Sequence, residues 1–98
     1  MTVTVSIAPG AEVEMHDAAL FYETESPGLG AVFVSDIMEA IGWIEIYPEH
    51  GELIRLRVRR KVLRNFPYSL IYSLRKDCIR ILAVAHQKRR PFYWRRRT

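Results

Sequence analysis

The residues best suited to chemistry in this chain are a histidine, a tyrosine and two arginines, all in its second half. His86 ends an apolar run, Tyr93 follows shortly after it, and Arg57 and Arg59 alternate with apolar residues upstream. Cleavage of RNA through its own 2′-hydroxyl needs a base, an acid and cations that stabilise a charged phosphorane. Imidazole can accept a proton near neutral pH. If the protein is a nuclease, His86, Arg57, Arg59 and Tyr93 are therefore its candidate catalytic residues.

His86 also fits a purely structural role, as a strand-end histidine that hydrogen-bonds to a neighbouring loop. The other histidines, His16 and His50, are isolated and show no metal-ligand spacing with His86. The single cysteine, Cys78, cannot complete a zinc site. The sequence therefore predicts no metal and no cofactor.

A cluster of basic residues precedes the histidine and suits binding. Residues 54–59 alternate apolar side chains with arginines, and five of the seven residues over 55–61 are basic. An exposed strand face that is merely solvated explains the same pattern without any function. The residues expected to bind a target or a partner protein are Arg55, Arg57, Arg59, Arg60, Lys61, Lys88, Arg89, Arg90 and Trp94.

The C-terminal tail, residues 87–98, interleaves cations with Phe92, Tyr93 and Trp94. Such mixtures bind single-stranded nucleic acid, where rings stack on bases, and also form hot spots between proteins. The alternative is that the aromatic residues cap the core and the last arginines are disordered. We expect Trp94 to pack and Arg95–Arg97 to be mobile.

The charges of the chain divide at residue 53. Residues 1–53 carry ten acidic residues and no lysine or arginine, whereas residues 54–98 carry all fifteen basic residues and one acid, Asp77. The two formal charges, −10 and +14, sum to the net charge of +4. Each half is expected to attract partners of opposite charge. The alternative is that the two halves neutralise each other across an internal interface.

The first half predicts a strand and two helices. Residues 2–8 alternate β-branched side chains, which is typical of a strand. Pro9 then suits the first turn of a helix. Ser26 and Pro27 predict the N-cap and first turn of a second helix, which Pro48 ends. Because the connection is so short, the two helices are expected to be antiparallel neighbours.

The second half changes to a period of two. Residues 54–59 predict a half-exposed antiparallel strand with three arginines on one face. Residues 68–74 and Cys78–His86 predict a hairpin of two further strands, with Cys78 as a buried thiol and the last strand central. The chain is thus expected to be an α+β domain. An N-terminal strand, an αα-hairpin and a three-stranded antiparallel meander form a twisted, mainly antiparallel sheet with the helices on one face.

Size and composition set further limits. The 98 residues, 49% hydrophobic and 27% charged, predict a single globular domain over residues 1–98. The N-terminus lacks the basic start of a signal peptide. The longest apolar-rich run, residues 31–46, contains acids and is short of the ~20 apolar residues that cross a membrane. We therefore expect a cytoplasmic protein without a membrane partner.

Several short motifs follow one another in a fixed order along nearly the whole chain. They are Ala18 with Tyr22-Glu23, Ser26-Pro27-Gly28-Leu29-Gly30, Phe33, Pro48, Phe66-Pro67-Tyr68, Ile71-Tyr72, the run from Ile79 to His86, Arg89-Arg90-Pro91 and Trp94. This ordered set resembles the toxins of the RelE/ParE superfamily, the toxic halves of bacterial type II toxin–antitoxin pairs. Within it, the pattern is more similar to the ParE and plasmid-stabilisation branch than to the RelE branch.

The resemblance implies a small growth inhibitor that a cognate antitoxin holds inactive. The ParE branch is associated with inhibition of DNA gyrase, whereas the RelE branch cleaves messenger RNA in the ribosome. We therefore expect a toxin that binds gyrase and is not an enzyme. The alternatives are a ribosome-dependent mRNA endoribonuclease and a non-toxic binding module. The resemblance also implies assembly of toxin and antitoxin beyond a one-to-one complex.

Overall fold

A computed structural model describes residues 3–97, which form two helices and one five-stranded sheet. The elements are β1 (Thr4–Ile7), α1 (Pro9–Glu25), α2 (Leu29–Ile46), β2 (Glu52–Arg55), β3 (Val58–Val62), β4 (Tyr68–Arg75), β5 (Cys78–His86) and a 3₁₀ turn (Arg95–Arg97). The strand order is β1-β5-β4-β3-β2, with β1 parallel to β5 and the other pairs antiparallel. The predicted α+β class is confirmed. Residues 1, 2 and 98 of the predicted strand and tail lie outside the described residues.

Each of the two predicted helices buries part of one face against the sheet. Pro9 opens α1, and Ala11 and Ala18 of that helix are buried. Helix α2 buries Phe33 and Ile44 against the same core. No helix within residues 3–97 has both the length and the hydropathy needed to cross a membrane.

The junction between the helices differs from the prediction. Ser26 ends α1, with its N–H donating to the Tyr22 carbonyl, and Gly28 rather than Ser26 is the N-cap of α2. Gly28 has φ 90°, a conformation that glycine adopts without a steric penalty. The carboxylate of Glu23 accepts the N–H groups of Gly28 and Gly30 at 3.0 Å each. An acceptor from the preceding helix therefore replaces the predicted serine cap.

The predicted strand over residues 54–59 is two strands joined by a tight turn. Strand β2 ends at Arg55, β3 begins at Val58, and these two residues pair across the turn formed by Leu56 and Arg57. The sequence alternation continues through the turn, and no glycine marks it. The meander therefore has four strands, and the three arginines do not share the face of one strand.

Strand β5 has its predicted bounds and lies between β1 and β4. Residues 81–85 are all buried, as expected for an interior strand. Cys78 is exposed, so the prediction of a buried thiol is wrong. It is the first residue of the strand and follows the β4–β5 turn, where the core does not reach.

The sheet is covered differently on its two faces. One face packs against the helices through a cluster that includes Phe33, Tyr72 and Ile81. The other face, here called the open face, carries a second cluster in which Trp94 of the tail packs on Ile71 and Leu82. The expectation that Trp94 packs is confirmed. The tail therefore forms a partial lid on the face away from the helices.

Candidate functional site

A groove on the open face collects five arginines around an apolar floor. Its volume is about 810 Å³. Val58 and Trp94 are buried and form its floor, while Leu56 stands exposed on its rim. Its arginines are Arg55, Arg57, Arg75, Arg95 and Arg96, and none of its nine lining residues is acidic. We call this feature the arginine groove. Trp94, only 4% exposed, supports the groove from beneath.

Four of these arginines have no carboxylate beside them. Within residues 3–97, no ion pair of 4.0 Å or less involves Arg55, Arg57, Arg75 or Arg96. The Arg55 guanidinium lies 5.9 Å from the centre of the Phe92 ring, near the limit of a cation–π contact. The positive charge of the groove is therefore not cancelled locally and is available to an incoming anion.

The strand-end histidine is held by its surroundings. The Lys88 backbone N–H donates to Nδ1 of His86 at 3.0 Å. The His86 ring meets Tyr68 edge-on, with the ring centres 5.0 Å apart. Because Nδ1 accepts a hydrogen bond, the neutral ring carries its hydrogen on Nε2. This is the loop-bound arrangement that the structural interpretation of His86 requires.

The four candidate catalytic residues do not surround one space. His86 and Tyr93 line a cleft of about 190 Å³, whereas Arg57 lines the arginine groove. Arg59 lines neither and is bound to backbone carbonyls. A nuclease site needs its base, acid and cations within hydrogen-bond reach of one substrate. No group of three or more metal-ligating side chains occurs in the described part of the chain either.

Tyr93 is poorly suited to proton transfer. Its hydroxyl is buried and has no hydrogen-bond partner among residues 3–97. Its ring lies 3.8 Å from the Arg89 guanidinium carbon and 5.2 Å from that of Arg97. Burial raises the pKa of the Tyr93 phenol, the Glu14 carboxylate raises it further, and the two guanidinium groups only partly oppose this. The phenol therefore remains protonated at neutral pH and cannot act there as a base.

A contact between Arg97 and Glu14 ties the end of the tail to α1. Arg97 donates to both carboxylate oxygens of Glu14, at 2.8 and 3.2 Å, and to the Leu82 carbonyl at 3.1 Å. Glu14 also accepts the Val84 N–H at 3.0 Å. Strand β1 pairs only with the first part of β5, so these side chains satisfy backbone groups that lack a strand partner. The predicted mobility of the last arginines is wrong for Arg97.

Two of the predicted binding arginines serve the fold. Arg59 donates to the carbonyls of Glu49 and Gly51, each at 2.9 Å, and so holds the α2–β2 loop. Arg60 pairs with Glu52 across the β2–β3 hairpin at 2.6 Å. Both guanidinium groups are therefore already engaged within the fold, unlike those of Arg55 and Arg57, which form no ion pair within residues 3–97.

The remaining predicted binding residues are dispersed. Lys61 lies with its ammonium 4.2 Å from the centre of the Trp43 ring, on the side of the helices. Lys88 and Arg90 are exposed in the turn after β5, and Arg89 covers the Tyr93 ring. Of the predicted binding set, the arginine groove contains only Arg55, Arg57 and Trp94. We call the cluster of Glu14, Arg89, Tyr93 and Arg97 the tail anchor.

Several residues of the arginine groove were not recognised as site residues in the sequence. Arg75 was assigned only to a turn, Arg96 to a mobile tail, and Leu56 to the apolar face of a strand. Arg75 reaches the groove because β4 pairs with β3 so that Ser73 lies opposite Val58. A correct placement of the β2–β3 turn would have brought these residues together, but no turn residue signals it.

The comparisons with known proteins agree on one family. A family model described as "ParE toxin of type II toxin-antitoxin system, parDE" matches residues 5–91. A solved structure titled "Chromosomal ParDE TA system from P. aeruginosa" matches with a TM-score of 0.76 and 18% sequence identity, covering 87% of this chain and 96% of that chain. At that identity the likeness demonstrates the fold. A search of curated proteins finds no sequence match.

Proposed function

This chain belongs to the ParE toxin family of type II toxin–antitoxin systems, and we propose that it inhibits bacterial growth by binding DNA gyrase and is neutralised by a cognate antitoxin. The observation that carries the proposal is the arginine groove, in which the exposed side chains of Arg55 and Arg57, without an ion pair within residues 3–97, lie beside an apolar floor. Such a surface is built to bind. Guanidinium groups pair with carboxylates through two parallel hydrogen bonds, and the apolar floor excludes water from those pairs.

The state of the groups that a nuclease would need favours a binding function over a catalytic one. The Tyr93 hydroxyl is buried and protonated, and Arg59 donates to two carbonyls of the α2–β2 loop. His86 accepts a hydrogen bond from its own turn. A protein that acts by binding needs none of these three groups in a reactive state. Its function depends instead on the groove residues Arg55 and Arg57.

Neutralisation follows from the same surface. An antitoxin whose acidic residues enter the arginine groove would exclude the target from it. The first half of the chain offers a second attachment surface, because eight of its ten acidic residues are exposed and it contains no lysine or arginine. We propose that the antitoxin contacts both regions, with acidic residues toward the groove and basic or apolar residues toward the helices.

A ribosome-dependent mRNA endoribonuclease is the second candidate function. One observation favours it: His86, Arg60 and Arg90 line the same cleft of about 190 Å³. A nuclease on this fold would use that cleft for the scissile phosphate. Arg60, however, already pairs with Glu52 at 2.6 Å.

Expression in a bacterial host without antitoxin separates the candidates. Growth, the DNA-damage response and the 5′ ends of an abundant transcript are followed for the wild type, for His86→Ala and for the double variant Arg55→Glu/Arg57→Glu. Gyrase binding predicts arrest with damage signalling and intact transcripts, retained in His86→Ala and lost in the double variant. Cuts within codons, lost in His86→Ala, would support the nuclease. No arrest by folded protein would leave only a non-toxic binding module.

The double variant needs a charge-reversal control outside the groove. Arg64→Glu reverses an exposed arginine that lies outside the groove, beside α2. It should arrest growth as the wild type does. If Arg64→Glu lost activity to the same extent, the effect would reflect net charge and not the groove.

A further inference from the structure

We infer that the arginine groove recognises an acidic protein segment with one apolar side chain among its carboxylates, and that Leu56 is the apolar contact for that side chain. The inference rests on the proposed function, since it specifies the chemistry of the partner that the groove binds.

The Leu56 side chain contributes little buried surface to the fold. Its side chain is 84% exposed, the highest value among the exposed large hydrophobic residues of the described chain. Its φ is 45°, in the left-handed region that glycine adopts easily and branched side chains adopt rarely. A glycine would therefore suit both the turn geometry and the solvent. A leucine that is both strained and exposed is the kind of residue that functional surfaces retain.

The neighbours of Leu56 define what it can bind. Arg55 precedes it and Arg57 follows it, and neither forms an ion pair within residues 3–97. Val58 and Trp94 form the floor beside it. A partner side chain placed against Leu56 and this floor would be apolar, whereas its flanking residues would face guanidinium groups. Carboxylates complement those groups in charge and geometry.

The groove is poorly suited to single-stranded nucleic acid. Sites for single strands stack bases on exposed aromatic rings. Trp94 is 4% exposed, and Phe92, 38% exposed, packs against Trp94 at a ring-centre distance of 5.8 Å. Leu56 offers no flat ring for stacking. Apolar contacts surrounded by charged pairs are instead characteristic of binding hot spots between proteins.

Fluorescence anisotropy with defined probes tests the inference. The probes are a labelled oligoglutamate peptide with a central leucine, the same peptide with a central serine, and a single-stranded oligodeoxynucleotide of equal charge. They are titrated against the wild type, Leu56→Gly and Leu53→Ser. Leu53 is the matched control because it lies on the same hairpin, is 55% exposed and does not line the groove.

The leucine peptide should bind the wild type about fivefold more tightly than it binds Leu56→Gly, the ratio expected for partial burial of one leucine. The serine peptide should not distinguish these two proteins, and Leu53→Ser should behave as the wild type. The urea denaturation midpoint of Leu56→Gly should be no lower than that of the wild type. Weaker binding by Leu56→Gly could then not be explained by unfolding of the variant.

Three results would overturn the inference. In the first, the oligonucleotide binds as tightly as the leucine peptide and Leu56→Gly does not affect it, which would make the groove a phosphate site. In the second, no peptide gives saturable binding. In the third, Leu56→Gly unfolds more easily, which would make Leu56 a structural residue. None of these readouts involves gyrase or growth, so the proposed function can fail while this inference stands, and the reverse.

Discussion

The tail anchor and the arginine groove are two arginine-rich regions that meet along the C-terminal tail, and they use their charges in opposite ways. In the tail anchor, Arg97 is bound by Glu14 and by the Leu82 carbonyl. In the groove, Arg55 and Arg57 have no carboxylate within ion-pair distance among residues 3–97. The first region therefore stabilises the fold, and the second is the surface that we propose binds a partner.

The difference shows that basic composition alone does not locate a binding surface. Of the ten acidic residues in the first half, only Glu14 and Glu52 form ion pairs with the basic half within residues 3–97. Mutual neutralisation of the two halves thus explains a small part of the charge split. The position of those two acids decides which arginines become structural. Arg55, Arg57, Arg75 and Arg96, which neither acid reaches, form no ion pair within residues 3–97.

Charge reversal in the groove should have the largest effect. Arg55→Glu/Arg57→Glu is expected to lower affinity for the cognate antitoxin by about 10²-fold or more, as hot-spot losses do. Both side chains are exposed, so the free energy of unfolding should change little. Titration calorimetry at two salt concentrations measures the affinity, and the variant should also show a weaker salt dependence. Unchanged affinity and salt dependence would place the antitoxin elsewhere.

Removal of the central carboxylate should have the next largest effect, on stability. Glu14→Ala leaves Arg97 and the Val84 N–H without their acceptor, which should cost about 2–3 kcal/mol of unfolding free energy. Urea denaturation measures it. Glu45→Ala, an exposed acid on α2, is the control and should stay within about 0.5 kcal/mol of the wild type. Equal losses in the two variants would contradict the assigned role of the tail anchor.

Tyr93→Phe should stabilise the protein. The change removes a buried hydroxyl that has no hydrogen-bond partner among residues 3–97, so we expect a gain of about 1 kcal/mol in unfolding free energy at neutral pH. It should also leave growth inhibition intact, whereas a nuclease that used this phenol would lose about 10²-fold in rate. Destabilisation, or loss of toxicity from folded protein, would contradict this account of Tyr93.

The decline of the unfolding free energy at alkaline pH is a second measurement that reports on Tyr93. Burial raises the pKa of Tyr93 in the folded state above its ordinary value of 10.0. Below pH 10.0 the phenol is protonated in both states, so it does not make the free energy of unfolding depend on pH. Above that pH the free energy of unfolding falls, because the phenol ionises in the unfolded chain before it ionises in the folded protein. Denaturation curves across this range should show a shallower alkaline decline in Tyr93→Phe. Parallel declines would mean that Tyr93 does not contribute.

Leu56→Gly should have a small stabilising effect. It relieves a positive φ, which we expect to raise the unfolding free energy by roughly 0.5–1 kcal/mol after the added chain entropy of glycine is subtracted. Thermal denaturation beside Leu53→Ser measures the difference. A lower melting temperature for Leu56→Gly would mean that the strain at this turn is compensated within the fold.

Strong local periodicity made most of the elements predictable. Helices α1 and α2 and strands β4 and β5 follow their sequence patterns because each buries one continuous stripe or run. The prediction of one strand over residues 54–59 is wrong because the alternation continues across a turn that no glycine marks. The site was predicted only in part for the same reason. Arg55 and Arg57 were identified by type, but the contribution of Arg75 depends on strand register.

The tail anchor could not have been predicted from any local pattern. Glu14 and Arg97 are 83 positions apart, and their contact exists because β1 is too short to cover the whole edge of β5. In the sequence, Glu14 resembles the other acidic residues of the first helix, and Arg97 resembles the other arginines of the tail. Only the packed fold distinguishes them from their exposed neighbours.

The most direct test of the central claim is a supercoiling assay with purified DNA gyrase. The unpaired arginines of the groove are predicted to be the target-binding surface, so the wild type, Arg64→Glu and Tyr93→Phe should all inhibit supercoiling. Arg55→Glu/Arg57→Glu, shown to be folded by its urea denaturation curve, should not inhibit at concentrations about 10²-fold higher. Inhibition by the double variant equal to that of the wild type, or no inhibition by the wild type, would contradict the account.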